Sequence, residues 1–309
     1  MKHIMKRGMG KEQGSSSVEN IIKDNKNSVK NLIVNHHTNL GGGGVKKPPC
    51  FVCKRGAALA ERKETGETKG WVDIHAHILP GVDDGASDWE EAGEMLNLAH
   101  EQGITHIIAT PHYISGQDIG RLKELAKQLG EAAHSLSERM TIGLGQEVQY
   151  FEELPLFLER GEVLTLSGSR YVLVEFLPGD GYTRLFRAVR SLVQASYLPV
   201  IAHAERYGCL RERGRTEELV KCGAYLQMNA GSLGGGIFDR QSVWCRKEIR
   251  KGNIHFIATD MHGVLIRPPE MREAAGWMMQ QERKGQGAGG MAERLLRQNQ
   301  EYILRDSVL

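Results

Sequence analysis

The chain has 309 residues, 40% of them hydrophobic, with five cysteines and a formal net charge of +2. Five cysteines, an odd number and under about 2% of the residues, exclude a disulfide-stapled secreted scaffold, where the share reaches about 8–10%. No apolar run approaches the roughly 20 residues that cross a bilayer, and the basic stretch Met1–Gly10 leads into no apolar signal core, so a cytoplasmic protein that is not membrane-embedded is expected.

In chain order, the first 70 residues stand apart. They carry 14 Lys/Arg against 6 Asp/Glu, a net +8, which leaves 26 against 32, a net −6, for residues 71–309. An acidic body with 6% aromatics offers no footprint for a phosphate backbone, so no nucleic-acid partner is expected. Gly14–Ser17, the run Gly41–Gly44, Pro48-Pro49 and the charged string Glu61–Lys69 leave only Leu32–Val34 and Ala57–Ala60 as apolar patches. Such a composition does not offset the entropy of ordering, so 1–70 reads as a disordered basic extension. A second reading sets the native start near Trp71 or Val72. Cys50-Phe-Val-Cys53 behind His36-His37 lacks a second strong pair at finger spacing and is a weak zinc signal.

From Trp71 onward, β-branched or apolar runs alternate with amphipathic stretches. Strands are predicted at 72–77, 106–110, 142–148, 171–176, 199–203, 224–229 and 254–260. Helices are predicted near 87–102, 118–138, 182–196, 214–222, 239–251 and 269–283, with a last one at 291–305. Ser87-Asp-Trp-Glu90 reads as a capping box with Ser87 at the N-cap. Ile119, Leu122, Leu125, Ala126, Leu129, Ala132, Ala133 and Leu136 keep helical spacing. Strands apolar on both faces and separated by helices mean a parallel sheet, and seven units in 71–309 predict a closed or nearly closed α/β barrel. The doubly wound alternative lacks a glycine-rich phosphate loop after its first strand.

Chemistry-bearing residues gather at the C-terminal ends of these strands, which share one face in a barrel. His75, His77, His112, His203, His262, Glu147 and Asp260 all fall there. His75-Ala-His77 places two imidazoles at i and i+2, on one side of a strand, and Asp260-Met-His262 repeats that spacing. Asp83-Asp84-Gly85 adds carboxylates in the first βα loop, and Glu147 is placed to bridge two ions. A lone strand-end histidine is usually a satisfied polar residue, and His100, His106, His134 and His255 are read so. Two such pairs with three further donors read as a multinuclear centre, whose mixed imidazole and carboxylate donors suit Mn, Fe or Zn better than Ca or Mg.

Val72–Gly85, Ala109-Thr-Pro-His112, Gly145-Gln-Glu147, Val200–Tyr207, Leu226-Gln-Met-Asn229 and Ala258–His262 resemble the polymerase and histidinol phosphatase (PHP) superfamily. The segments HILPGVDDG and AERY are similar to the bacterial manganese-dependent tyrosine-protein phosphatases of capsule and exopolysaccharide loci, the CpsB/CapC/YwqE group. The resemblance covers about 72–270 and implies a distorted seven-stranded barrel with two to three ions. It also implies a partner, a tyrosine autokinase of polysaccharide export dephosphorylated on a tyrosine-rich tail. On the matching positions, His75, His77, Glu147 and Asp260 would hold one ion, and Glu147, His112 and His203 a second. Asp84 and His262 would help with a third. Two departures stand out: Tyr113 where the family has His, and Ala204 where it has Pro.

Hydrolysis by a metal-bound hydroxide is then expected, with no covalent phosphoenzyme. Arg206, three residues after His203, is placed to bind the phosphate as a bidentate donor. His262, Asp84 or a water would protonate the leaving phenolate. Cys209-Leu-Arg-Glu-Arg-Gly-Arg215 has the C-x5-R spacing of cysteine-dependent tyrosine phosphatases, but Glu212 would sit inside the phosphate cradle. The rival functions are another PHP-type phosphoesterase (histidinol-phosphate phosphatase or nuclease-like), a deacylase of the amidohydrolase barrel type, and a non-enzymatic binding module. No predicted strand ends in the lysine the deacylase class usually needs.

Overall fold

The computed structural model describes residues 70–236, 238–285 and 289–309. Apart from Gly70, the basic extension lies outside the described residues, and with it the Cys50/Cys53 zinc reading.

Eight parallel strands alternate with helices. They are β1 (Trp71–Ala76), β2 (Ile104–Ala109), β3 (Thr141–Leu144), β4 (Glu147–Gln149), β5 (Tyr171–Glu175), β6 (Leu198–Ile201), β7 (Tyr225–Asn229) and β8 (Phe256–Ala258). The helices are α1 (Trp89–Glu101), α2 (Ile119–Leu136), α3 (Leu154–Glu159), α4 (Tyr182–Gln194), α5 (Arg215–Lys221), α6 (Arg240–Lys251) and α7 (Met271–Arg283). A C-terminal segment then runs through α8 (Met291–Glu293), a π-helical turn (Arg294–Gln298) and α9 (Asn299–Leu304).

The strands form two sheets in sequence order, β1-β2-β3 and β4-β5-β6-β7-β8. The single strand predicted at 142–148 is therefore two, parted at Gly145-Gln146. A side chain at Gly145 would press on the Leu166 backbone at 3.1 Å and Thr165 O at 3.2 Å. Gln146, fully buried, turns sideways to accept from Leu164 N (2.8 Å) and donate to Gln117 (2.6 Å). Isolated parallel bridges span both gaps between the sheets, His112 with Glu147 and Ala76 with Met261.

Other local expectations shift. Helix α3, with a proline in its first turn, has too few residues to show a period, and the sequence reading missed it. The N-cap of α1 is Asp88, not Ser87: its carboxylate accepts from Glu90 N and Glu91 N, and Glu91 reaches back to Ser87 N. An aspartate at that position outcompetes a serine one residue earlier because its carboxylate faces the free amides and the positive helix end. The predicted helix 291–305 contains the π-helical turn.

Residues of most strands are buried on both faces, as a covered parallel sheet requires, while β3 is only half-buried. Alternate residues Val72 and Ile74, Tyr171 and Leu173, Val200 and Ala202, and Phe256 and Ala258 form an inner cluster with Ile108, Leu166 and Ile303. Ile303 comes from α9, which closes the N-terminal end of the strands; there Tyr171 Oη donates to Ser307 O at 2.9 Å. The larger cluster lies between strands and helices. The C-terminal strand ends are left for polar groups.

Candidate metal centre

The centre grows from β1. His75 and His77 point the same way, with Nε2 atoms 3.2 Å apart, because two residues restore the same side of a strand. Each ring is aimed by its other nitrogen: His75 Nδ1 lies 3.2 Å from Gln227 Oε1, and His77 Nδ1 2.7 Å from Asp83 Oδ2. An acceptor at Nδ1 fixes the proton there and leaves Nε2 as the donor to a metal.

Glu147, the first residue of β4, is buried at the centre. Its Oε2 lies 3.2–3.3 Å from ring nitrogens of His75, His77 and His112, and its Oε1 lies 2.8 Å from His203 Nε2. Asp260 follows β8, with Oδ1 3.3 Å from His75 Nε2. Its Oδ2 accepts from Arg206 at 2.6 Å and Asn229 Nδ2 at 2.7 Å. Asp260 and His203 have φ of +53° and +33°, a left-handed backbone that side chains rarely adopt and that concentrates at functional sites. Asp73 pins β1 against β8 by accepting from Thr259 N and Oγ1, and burial pushes its carboxyl up to about 6.

Three overlapping groups of potential ligand atoms result, each with all its atoms within 4.8 Å of one another. The first is His75, His77, Glu147 and Asp260, the set expected for one ion. The second is His112, Glu147 and Glu175. His203, expected here, has its Nε2 2.8 Å from Glu147 and 3.6 Å from Glu175. The third is His77, Asp84, His112 and His262, wider than the expected Asp84 and His262.

Crowded carboxylates and imidazoles trade protons. Burial acts to lower His77, but the hydrogen bonds its ring donates to Asp83 and Glu147 outweigh it and raise the ring to about 10. Burial likewise opposes charge on His203, and Glu147 and Glu175 raise it to about 9. Hydrogen bonds from His112 and His262 hold Asp84 far below the ordinary carboxylate range. Burial opposes the charge on Asp260, yet the nearby His75 brings its carboxyl down to about 2. The donor set fits divalent metal ions, which would displace these protons and supply the positive charge that the carboxylates draw from imidazolium.

Two residues of the centre escaped the sequence reading. Glu175 ends β5 in a run read only as apolar strand, although its place at a strand C-terminus matches that of Glu147 and Asp260. Arg267 has no spacing signal. It sits in the loop after His262 with φ +57°, its Nη1 3.3 Å from Asp260 Oδ2 and 3.0 Å from the His262 ring. Tyr113 stacks on Phe151 at the edge of the centre, with its N–H on Glu147 O. Ala204, fully buried, opens the 3-10 turn that presents Arg206.

The Cys209 motif forms no phosphate cradle. Arg215 lies against Glu212 and Glu218, with its guanidinium 4.3 Å from the Tyr182 ring centroid, and burial pushes the Cys209 thiol up, away from thiolate. Among the described residues no helix is long and apolar enough to cross a membrane.

Parallel α/β units with mixed imidazole and carboxylate donors at their strand ends define a metal-dependent α/β class. Within it, residues 71–305 match the family described as capsular polysaccharide synthesis, CpsB/CapC, and the chain belongs to that family. It is 34% identical over 244 residues to tyrosine-protein phosphatase YwqE of Bacillus subtilis, covering 77% of this chain and 93% of the relative. It is 32% identical over 212 residues to tyrosine-protein phosphatase CpsB of Streptococcus pneumoniae, covering 66% of this chain and 87% of that one. The fold superposes, with a TM-score of 0.69 at 31% identity over 77% of this chain and 96% of the other, on a chain from the crystal structures of YwqE and CpsB. Those two proteins are described as unique metal-dependent tyrosine phosphatases.

Proposed function

We propose that the chain is a metal-dependent protein-tyrosine phosphatase, with residues 71–309 as its catalytic domain and its two sheets forming one distorted PHP-type barrel. Its substrate on this reading is a cytoplasmic tyrosine autokinase of capsule or exopolysaccharide synthesis, and its ions are two or three Mn, with Fe or Zn as alternatives. The observation that carries the reading is the sharing of Glu147 between two groups of donors with arginines at their open side.

Bound ions supply Lewis acidity toward phosphate oxygens and make water a nucleophile at neutral pH. Arg206 and Arg267, 35% and 42% exposed, converge on Asp260 and are free on their outer sides to take phosphate oxygens, where a guanidinium gives paired donors. Asp84 is ionised at neutral pH, so it is a ligand or acceptor rather than the acid. His262, with Nε2 3.4 Å from Asp84 Oδ1, is the protein's own group for donating a proton to the departing phenolate oxygen. Tyrosinate, with a pKa near about 10, leaves more readily than an alkoxide, so aryl phosphates turn over fastest.

The deciding experiment measures hydrolysis of p-nitrophenyl phosphate, a phosphotyrosine peptide, histidinol phosphate and single-stranded DNA with Mn²⁺ and with EDTA. Wild type is compared with His75→Ala and Cys209→Ser. The reading requires phosphotyrosine to be preferred, and activity to need metal and His75 but not Cys209. Loss in Cys209→Ser alone sinks it, and preference for histidinol phosphate or DNA moves the chain to another PHP-type phosphoesterase.

A further inference from the structure

A cleft of about 350 Å³ lies between the end of β4 and the first turns of α4, walled by Tyr150, Glu152, Gly181, Thr183, Arg184 and Arg187. Its size is that of a pocket for a ligand group. Tyr150 ties it to the metal centre. It stands three residues after Glu147, at most about 10 Å along the chain, and its N–H donates to Glu175 O at 2.9 Å. The cleft therefore adjoins the backbone that carries Glu147 and Glu175.

Its charge runs against that of the protein. Residues 71–309 carry a net −6, yet α4 holds Arg184, Arg187 and Arg190 and no acidic residue. Arg184 is fixed in place, with Nη2 donating to Tyr150 O at 3.0 Å and Nε 3.3 Å from Asp180 Oδ2. Arg187 is exposed, and among the described residues no carboxylate lies within 4.0 Å of it. Asp180 already offsets Arg184, and Glu152, the one acidic wall, lies more than 4.0 Å from Arg187, which leaves that guanidinium for an anion.

We propose that this cleft is a subsite for an acidic side chain of the substrate polypeptide, a few residues from the phosphotyrosine. Successive residues of an extended peptide are about 3.3–3.6 Å apart. Three positions on either side of the phosphotyrosine thus sweep about 10 Å of the surface around the centre. A carboxylate or second phosphate there meets the Arg187 fork as a charge-assisted, two-pronged hydrogen bond. The protein then selects acidic segments over neutral ones carrying the same phosphotyrosine. This subsite rests on the phosphatase reading.

The test pairs kinetics with binding, on the full chain with Mn²⁺. Two phosphotyrosine peptides are used, one with Glu at the three positions on each side and one with Gln there. Wild type is expected to favour the acidic peptide in kcat/KM by at least about fivefold, and Arg187→Glu to bring the ratio to one or below. Lys247→Glu, the same charge change on α6, keeps the wild-type ratio. Fluorescence anisotropy with unphosphorylated versions of both peptides reads the subsite without turnover, so it decides even if the chain hydrolyses nothing. Equal affinity for the two peptides, or an acidic preference unchanged in Arg187→Glu, overturns the proposal. So does Arg187-dependent binding to phosphatidylglycerol vesicles with no peptide preference, which would make the patch a membrane contact.

Discussion

At the scale of single residues, charge neutralisation separates the roles of the polar groups. Arg206 donates to Asp260 at 2.6 Å and is 35% exposed, so on the proposed reading its removal affects the phosphate more than the fold. We expect Arg206→Ala to lower kcat by about 10²–10³ with Mn²⁺ content unchanged, and Arg206→Lys to recover only part of it, because an ammonium lacks the fork. Steady-state kinetics beside metal analysis of the same samples checks this. Glu175→Gln is expected to act on the metal, lowering the ions held per chain by about one, read by mass spectrometry of metal content. Most of the donor set was legible in the sequence because His-x-His and Asp-x-His spacings fall at strand ends, where parallel strands place everything on one face. Glu175 was hidden because an apolar run masks its last residue. Arg267 was hidden because its approach depends on a left-handed turn with no sequence period. The division of donors into groups depends on ring rotation and on which loops fold over, which spacing does not encode.

At the scale of elements, the loop between β1 and α1 is the most constrained part of the centre. A side chain on Gly85 would meet His77 O at 1.9 Å and His77 Cβ at 2.6 Å, while Gly85 N donates to Asp83, the partner of the His77 ring. Gly85→Ala must therefore move backbone against His77, an imidazole of the proposed metal centre. We expect it to weaken Mn²⁺ binding by at least about tenfold, seen by calorimetric titration, while circular dichroism stays that of the wild type. Six of the seven predicted strands correspond to single observed strands, since alternating runs of opposite character are local. The break at Gly145-Gln146 comes from the 163–166 segment packing across the strand, a non-local contact that no window of sequence contains.

At the scale of the molecule, the centre joins what the ladders leave separate. His75 belongs to the sheet of three strands, Glu147 and Glu175 to the sheet of five, and Asp260 follows the last strand of that sheet. If the proposed centre takes Mn²⁺, the ion at 100 times its Kd adds about 2.7 kcal/mol to stability, and a scanning calorimeter should show the rise in Tm with wild type and not with His75→Ala. Acid acts elsewhere. Burial lowers His106 and His255 from 6.5 to about 4, so between pH 6.5 and 4 the unfolded chain binds protons that the folded chain refuses. Stability therefore falls as pH falls through that window, by on the order of 1–2 kcal/mol for each ring. In denaturant titrations at pH 6.5 and 4.5 with EDTA present, His255→Asn should lose less stability than wild type. An equal loss in the two proteins would assign the acid sensitivity to other groups.

The order of the ligand atoms along the chain also governs when the centre first exists. His75, His77, Asp84, His112, Glu147, Glu175 and His203 all precede Asp260, His262 and Arg267, which arrive with the eighth strand and the loop behind it. A ribosome-bound nascent chain, or a fragment cut before residue 260, carries most of the imidazoles but neither the carboxylate that closes the first group nor one of its arginines. On the proposed reading such a chain is expected to capture metal weakly and to hydrolyse nothing, so that activity is withheld from unfinished or clipped copies by the order of the strands.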